Sequence, residues 1–153
     1  MLKDGTIRKY CGFRNNETGE HGVDVVIKRT GESMLATPLD IKPSMVIYNH
    51  SNEFEWGYPG SGPAQLALAI LFDVTGDRIF SFHHHQAFKD DFVSTWPDMW
   101  EIYDEEIQDW CKRERWNPAA SPYLHGYVKR QKSNIVTKLF KRIFRGKTSN
   151  AAN

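Results

Sequence analysis

A chain of 153 residues, 40% apolar and 25% charged, fits one compact domain with a tail and leaves no room for two independent cores. Its 11 glycines and 7 prolines are ordinary numbers, which excludes collagenous, low-complexity and wholly disordered classes. The formal net charge of +1 conceals a segregation, with 9 basic and 12 acidic groups in residues 1–97, 2 and 7 in residues 98–114, and 9 and none in residues 115–153.

An acidic belt followed by a basic terminus makes the molecule a dipole, and either pole can meet a partner or the other pole. The longest apolar run, residues 66–72, is far short of a membrane span. Met1-Leu2-Lys3-Asp4-Gly5 carries charge where a secretory leader would be apolar, and Cys11 and Cys111 form no metal or redox spacing. The expectation is a cytoplasmic protein with reduced thiols, in the host cytosol if a phage encodes it.

In chain order, Ile7-Arg8-Lys9-Tyr10-Cys11 and Val23-Asp24-Val25-Val26-Ile27 predict two strands of a hairpin with a long polar loop. Ser33-Met34-Leu35-Ala36 follows a turn, and Met45-Val46-Ile47-Tyr48, after Pro43, predicts a further strand of the same antiparallel meander. Pro63 suits the first position of a helix, which makes Gly62 its expected N-cap. The segment beyond Pro63 is apolar nearly all round, so this helix must be buried on most sides. Asp77 caps a second helix running to about Val93, with Phe80, Phe88 and Phe92 facing inward. Asp104 opens a third, whose early carboxylates suit the positive end of its dipole.

The expected domain, residues 1–116, is α+β, with the N-terminal antiparallel meander packed on a buried central helix and flanking helices. Residues 117–133 read as a connector. Ile135, Val136, Leu139, Phe140, Ile143 and Phe144 then mark one face of a basic amphipathic helix over residues 134–146. Residues 147–153 read as a disordered tail.

The stretch Phe54-Glu55-Trp56-Gly57-Tyr58-Pro59-Gly60-Ser61-Gly62-Pro63-Ala64-Gln65-Leu66-Ala67-Leu68 resembles a family of small proteins of bacteria, phages and plasmids that is known only as a domain of unknown function. The likeness extends over roughly residues 5–112, through Phe88-Lys89 and the Trp100 and Trp110 region, and leaves the basic terminus outside. It implies a mobile-element origin and no particular activity.

Glycines ahead of a helix start can form an anion cradle, because flexible backbone lets N–H groups converge where the helix dipole favours negative charge. An anionic, nucleotide-like ligand would then meet Trp56, Gly57, Tyr58, Gly60, Ser61, Gly62 and Gln65. The competing reading is architectural, with glycines that let the chain turn while the aromatic rings pack on the helix. Pro63 removes one donor, and neither familiar phosphate-loop pattern is present.

No catalytic set is assembled in the sequence. Glu55 and His50 are the candidates for a small hydrolase or transferase, with structural hydrogen bonding as the alternative role for both. His50, Glu53 and Glu55 show no metal spacing. His83-His84-His85 cannot converge on one ion from a helix, where neighbouring side chains diverge by about 100°. No metal and no cofactor are expected.

A protein partner would meet Trp100, Glu101, Glu105 and Asp109 on an acidic face, or Lys138, Lys141, Arg142 and Arg145 on the terminal helix. That helix could also touch nucleic acid or an anionic membrane surface, dock on its own domain, or pair two copies of the chain. The leading expectation is a non-catalytic binding module, plausible for counter-defence, that captures the nucleotide-like ligand or occludes a host protein.

Overall fold

The computed structural model describes residues 5–119. Four antiparallel strands, β1 (Ile7–Arg14), β2 (His21–Lys28), β3 (Leu35–Pro38) and β4 (Trp100–Tyr103), lie in the order β3-β2-β1-β4. Four helices accompany them: α1 (Lys42–Ile47), α2 (Ser61–Thr75), α3 (Arg78–Asp91) and α4 (Asp104–Arg113), with a 3-10 turn at Val93–Thr95. The class is therefore α+β, as expected. No helix among the described residues is long and apolar enough to cross a membrane.

The β1–β2 hairpin runs from Ile7 opposite Lys28 to Arg14 opposite His21. Its turn is shorter than expected because Asn15 Oδ1 accepts from the N–H groups of Glu17 (2.9 Å) and Thr18 (3.3 Å). Alternation sends Tyr10, Val23 and Val25 to the inner face, where they meet Leu66, Ile70 and Leu71 of α2, Phe88 of α3, and Ile107 and Trp110 of α4 in one core.

Two sequence expectations are corrected. Residues 45–48 are not a strand: Met45, Val46 and Ile47 lie in α1 and Tyr48 caps its end. Pro43 opens that helix, the N–H of Lys42 donates to Asp40 Oδ1 at 3.0 Å, and the Ser44 hydroxyl donates to the Ile41 carbonyl at 2.7 Å. A proline at a helix start outweighs the strand preference of three branched or aromatic residues. The fourth strand comes instead from residues 100–103, which pair with the free edge of β1 through Tyr10 opposite Ile102 and Gly12 opposite Trp100.

The start of α2 also differs, lying two residues before the expected first helical position, Pro63. Gly60 is the N-cap, the N–H of Ala64 donates to its carbonyl at 3.1 Å, and Pro63 sits inside the first turn, where the helix needs no donor. The helix is buried along most of its length and ends at Gly76, in the left-handed conformation at φ 62°. Asp77 then caps α3, accepting from the N–H groups of Ile79 and Phe80 at 3.1 and 3.0 Å. Phe88 is fully buried and Phe80 and Phe92 pack against the core, so the inward stripe is present. Asp104 opens α4, with Glu105 and Glu106 in its first turn. The terminal helix over residues 134–146 lies outside the described residues, as does almost all of the connector.

Candidate functional site

The loop between α1 and α2 is held by one side chain of the helix it precedes. Gln65 is fully buried. Its Oε1 accepts from the N–H groups of His50 (2.8 Å) and Ser51 (3.4 Å), while its Nε2 donates to Ser44 Oγ at 2.7 Å. A polar residue on an otherwise apolar helix thus replaces the hydrogen bonds that the loop backbone would lose on burial.

Trp56 is the largest fully buried side chain. Its Nε1 donates to the Pro97 carbonyl at 2.8 Å, and its ring meets Trp100 edge-on at 5.9 Å between centroids. The Arg14 guanidinium lies 4.5 Å from the ring centre, and Trp96 stacks on Trp100 at 3.8 Å. Gly57 has φ +83°, and a Cβ there would lie 2.9 Å from the Trp96 carbonyl oxygen. Gly62 is pressed against Glu55, whose Cβ would lie 2.5 Å from an added methyl group. Gly60 lies under the ring of Tyr58. The left-handed backbone at Gly57 and close packing at Gly62 account for those two glycines. Tyr58 and Ser61 are exposed at the same turn.

Charge around this turn is mainly negative. Glu53, Glu55 and Asp98 stand beside one arginine, Arg14, which donates to Glu55 Oε2 at 2.6 Å, to the Trp56 carbonyl at 3.1 Å and to Asp98 Oδ1 at 3.1 Å. His21 comes next to Glu55 through the hairpin register, with Nε2 3.4 Å from Glu55 Oε1. Ligand atoms of His21, Glu53 and Glu55 all lie within 4.8 Å of one another. Sequence reading missed His21, although counting back from the turn to the partner of Arg14 would have found it.

The other candidate, His50, faces His85 of α3 with the two Nε2 atoms 2.8 Å apart. His85 Nδ1 donates to the Phe82 carbonyl at 2.6 Å, so the His85 Nε2 is the acceptor and His50 supplies the proton between the rings. Of the histidine run, His85 is the buried member, while His84 stacks on Phe80 at the boundary. Burial, and secondarily the charge of Lys89, holds His50 below the ordinary value of 6.5. Burial does the same to His85. The unfolded chain therefore takes up protons more readily than the folded one as pH falls below 6.5, and stability drops in that window. The melting temperature is expected to fall between about pH 7.5 and about pH 5.5, with a shallower slope in His85→Gln.

Two clefts open elsewhere. One, of about 280 Å³, is lined by Arg8, Leu39, Pro43, Phe72, Asp73 and Thr75. Its polar end is engaged internally: Arg8 pairs with Asp73, and the Tyr10 hydroxyl donates to Asp73 Oδ2 at 2.6 Å. Asp104 lies beside this group, raised by burial and partly held down by Arg8. The other cleft, beside α1 and α3, is lined by Ile47, Arg78, Ile79, Phe82 and His83.

Among the proposed partner residues, Trp100 is buried on the inner face of β4, and Trp110 and Trp116 are also in the core. Glu101, Glu105 and Asp109 are exposed, Glu101 being paired with Lys9. Lys138, Lys141, Arg142 and Arg145 fall outside the described residues. Neither thiol is a ready nucleophile, since burial pushes Cys111 up to about 12 and raises Cys11 as well.

Fold and site together define a small α+β domain in which the glycine-aromatic turn clamps a buried helix against the sheet. The chain belongs to the family of unknown function DUF6166, whose model matches residues 10–113, from β1 to the end of α4. No curated protein and no solved structure matches it.

Proposed function

We propose that this chain is a non-catalytic binding module that holds a protein partner on the face formed by the end of α1 and the outer side of α3. The observation that supports this reading is the group of exposed apolar side chains there. Val46 is 74% exposed, Ile79 70%, Tyr48 50% and Phe82 41%. Tyr48 and Phe82 are ring neighbours at 5.9 Å, and Arg78 reaches across to the Val46 carbonyl at 3.4 Å. Large apolar and aromatic groups gathered beside a groove are the chemistry that a protein surface covers on association. A mobile-element origin, which the motif resemblance implies, would make the partner a host protein and the role counter-defence.

The nucleotide-ligand alternative has less support. The Trp56 face that a base would stack on is buried, and three carboxylates surround the turn, so an anion meets repulsion. Enzymatic roles for Glu55 and His50 compete with the ion pairs and the imidazole contact that already engage them.

The test uses the full chain as bait in lysate of the native host. A partner retained by the wild type and by Glu105→Ala/Asp109→Ala, and reduced at least about tenfold by Ile79→Glu/Phe82→Glu, supports the α1–α3 face. Retention by the Ile79→Glu/Phe82→Glu variant with loss in the α4 variant assigns contact to the acidic face instead. Melting curves of all three proteins, recorded alongside, separate loss of contact from loss of folding.

A further inference from the structure

We propose that His21, Glu53 and Glu55 form a binding site for one divalent d-block cation of the zinc class. The proposal is independent of the protein-contact reading, because the site shares no residue with the α1–α3 face.

The tautomer of His21 is set by the hairpin turn. Its Nδ1 lies 3.3 Å from the Gly19 carbonyl, which can only accept, so Nδ1 carries a proton. In the neutral ring Nε2 then has a lone pair, and that atom faces Glu55 Oε1 at 3.4 Å. An imidazole lone pair and a carboxylate oxygen converging at this distance are an arrangement that a metal ion can bridge. Two ligand atoms on a tetrahedral zinc are separated by about 3.3 Å, which matches the gap.

His21 and Glu55 are each supported from behind. An imidazole that donates its other N–H to a backbone carbonyl, and a carboxylate whose second oxygen is fixed by a hydrogen bond, are the usual outer partners of metal ligands. Here Gly19 holds His21, and Arg14 holds Glu55 Oε2 at 2.6 Å, leaving Oε1 for the ion. Asp98 faces Arg14 at 3.1 Å and offsets its charge, so the pocket stays negative overall. Glu53 supplies the third ligand: its carboxylate lies within 4.8 Å of the other two groups, and its exposed side chain is free to rotate closer onto the ion. One nitrogen and two carboxylate oxygens favour zinc-like ions over magnesium or calcium, which prefer oxygen alone. Three protein ligands leave a fourth position for water or for a donor from a partner.

The experiment is titration of the full, chelator-treated chain with zinc, followed by cobalt as a coloured probe of coordination. The expected result is one zinc per chain at this site and a visible cobalt band of four-coordinate type. Both should be lost or weakened more than about tenfold in Glu53→Gln and in His21→Asn, since loss of even an outer partner can cost that much. Glu53 is exposed, so Glu53→Gln should melt like the wild type without metal and isolates the ligand effect. His83→Asn/His84→Asn controls for the histidine run of α3 and should bind as the wild type does. The proposal is overturned if zinc does not bind, if Glu53→Gln binds unchanged, or if the His83→Asn/His84→Asn variant alone loses the ion.

Discussion

Trp56→Ala is expected to lower the stability of the protein by about 4–6 kcal/mol. The indole is fully buried and touches the sheet through Trp100, the hairpin through Arg14, and the chain after α3 through the Pro97 carbonyl. Truncating a buried tryptophan costs about 3–5 kcal/mol from lost contacts and the cavity left behind. Removing the Nε1 donor also leaves the Pro97 carbonyl without its partner, at about 1 kcal/mol or more. Domains of this size hold only about 5–15 kcal/mol in total, so the loss takes a large share of the reserve. Urea unfolding followed by circular dichroism measures it. Trp56→Phe, which keeps a ring but not the donor, should fall between the two. A loss under about 1 kcal/mol in Trp56→Ala would show that the turn is held by something other than this ring.

Gln65→Leu is expected to cost about 3 kcal/mol, although it replaces a polar residue by an apolar one on an otherwise apolar helix. The leucine has similar volume and suits the helix, so propensity and size predict little change. The cost arises in the loop, because the N–H groups of His50 and Ser51 lose their acceptor and Ser44 Oγ loses a donor. Buried groups left without partners lose their hydration with nothing in return, at about 1–3 kcal/mol each. Hydrogen exchange adds a local readout: the His50 and Ser51 amides should lose protection more than the amides of β1 and β2. Equal loss throughout would place the effect in the helix rather than in the loop.

These residues show where the sequence was informative and where it was not. Strand alternation revealed β1 and β2, and Asp77 ahead of a phenylalanine stripe revealed α3, because each signal is local. The buried nature of α2 was equally plain from its lack of a polar face. Met45-Val46-Ile47-Tyr48 misled because side-chain preference is weaker than the proline-led start just before it. Trp100-Glu101-Ile102-Tyr103 alternates clearly, yet it sits within an acidic stretch and needed the open edge of β1 to become a strand.

The site was harder. Gln65 and Trp56 stood in the motif as candidate ligand contacts, and the structure turns both inward, since composition does not tell which way a side chain faces. His21 is 34 residues from Glu55 in sequence, and only the pairing of two strands brings them together.

The position of β4 also orders events during synthesis. The first strand emerges early, but its second neighbour is encoded some ninety residues later, so a nascent chain stopped short of Trp100 exposes one side of β1 and the ring of Trp56 together. Such a long-range closure slows folding and prolongs the period in which an unpaired edge can stick to another chain. Ribosome stalling or premature termination before that strand should therefore yield aggregates rather than a smaller working domain.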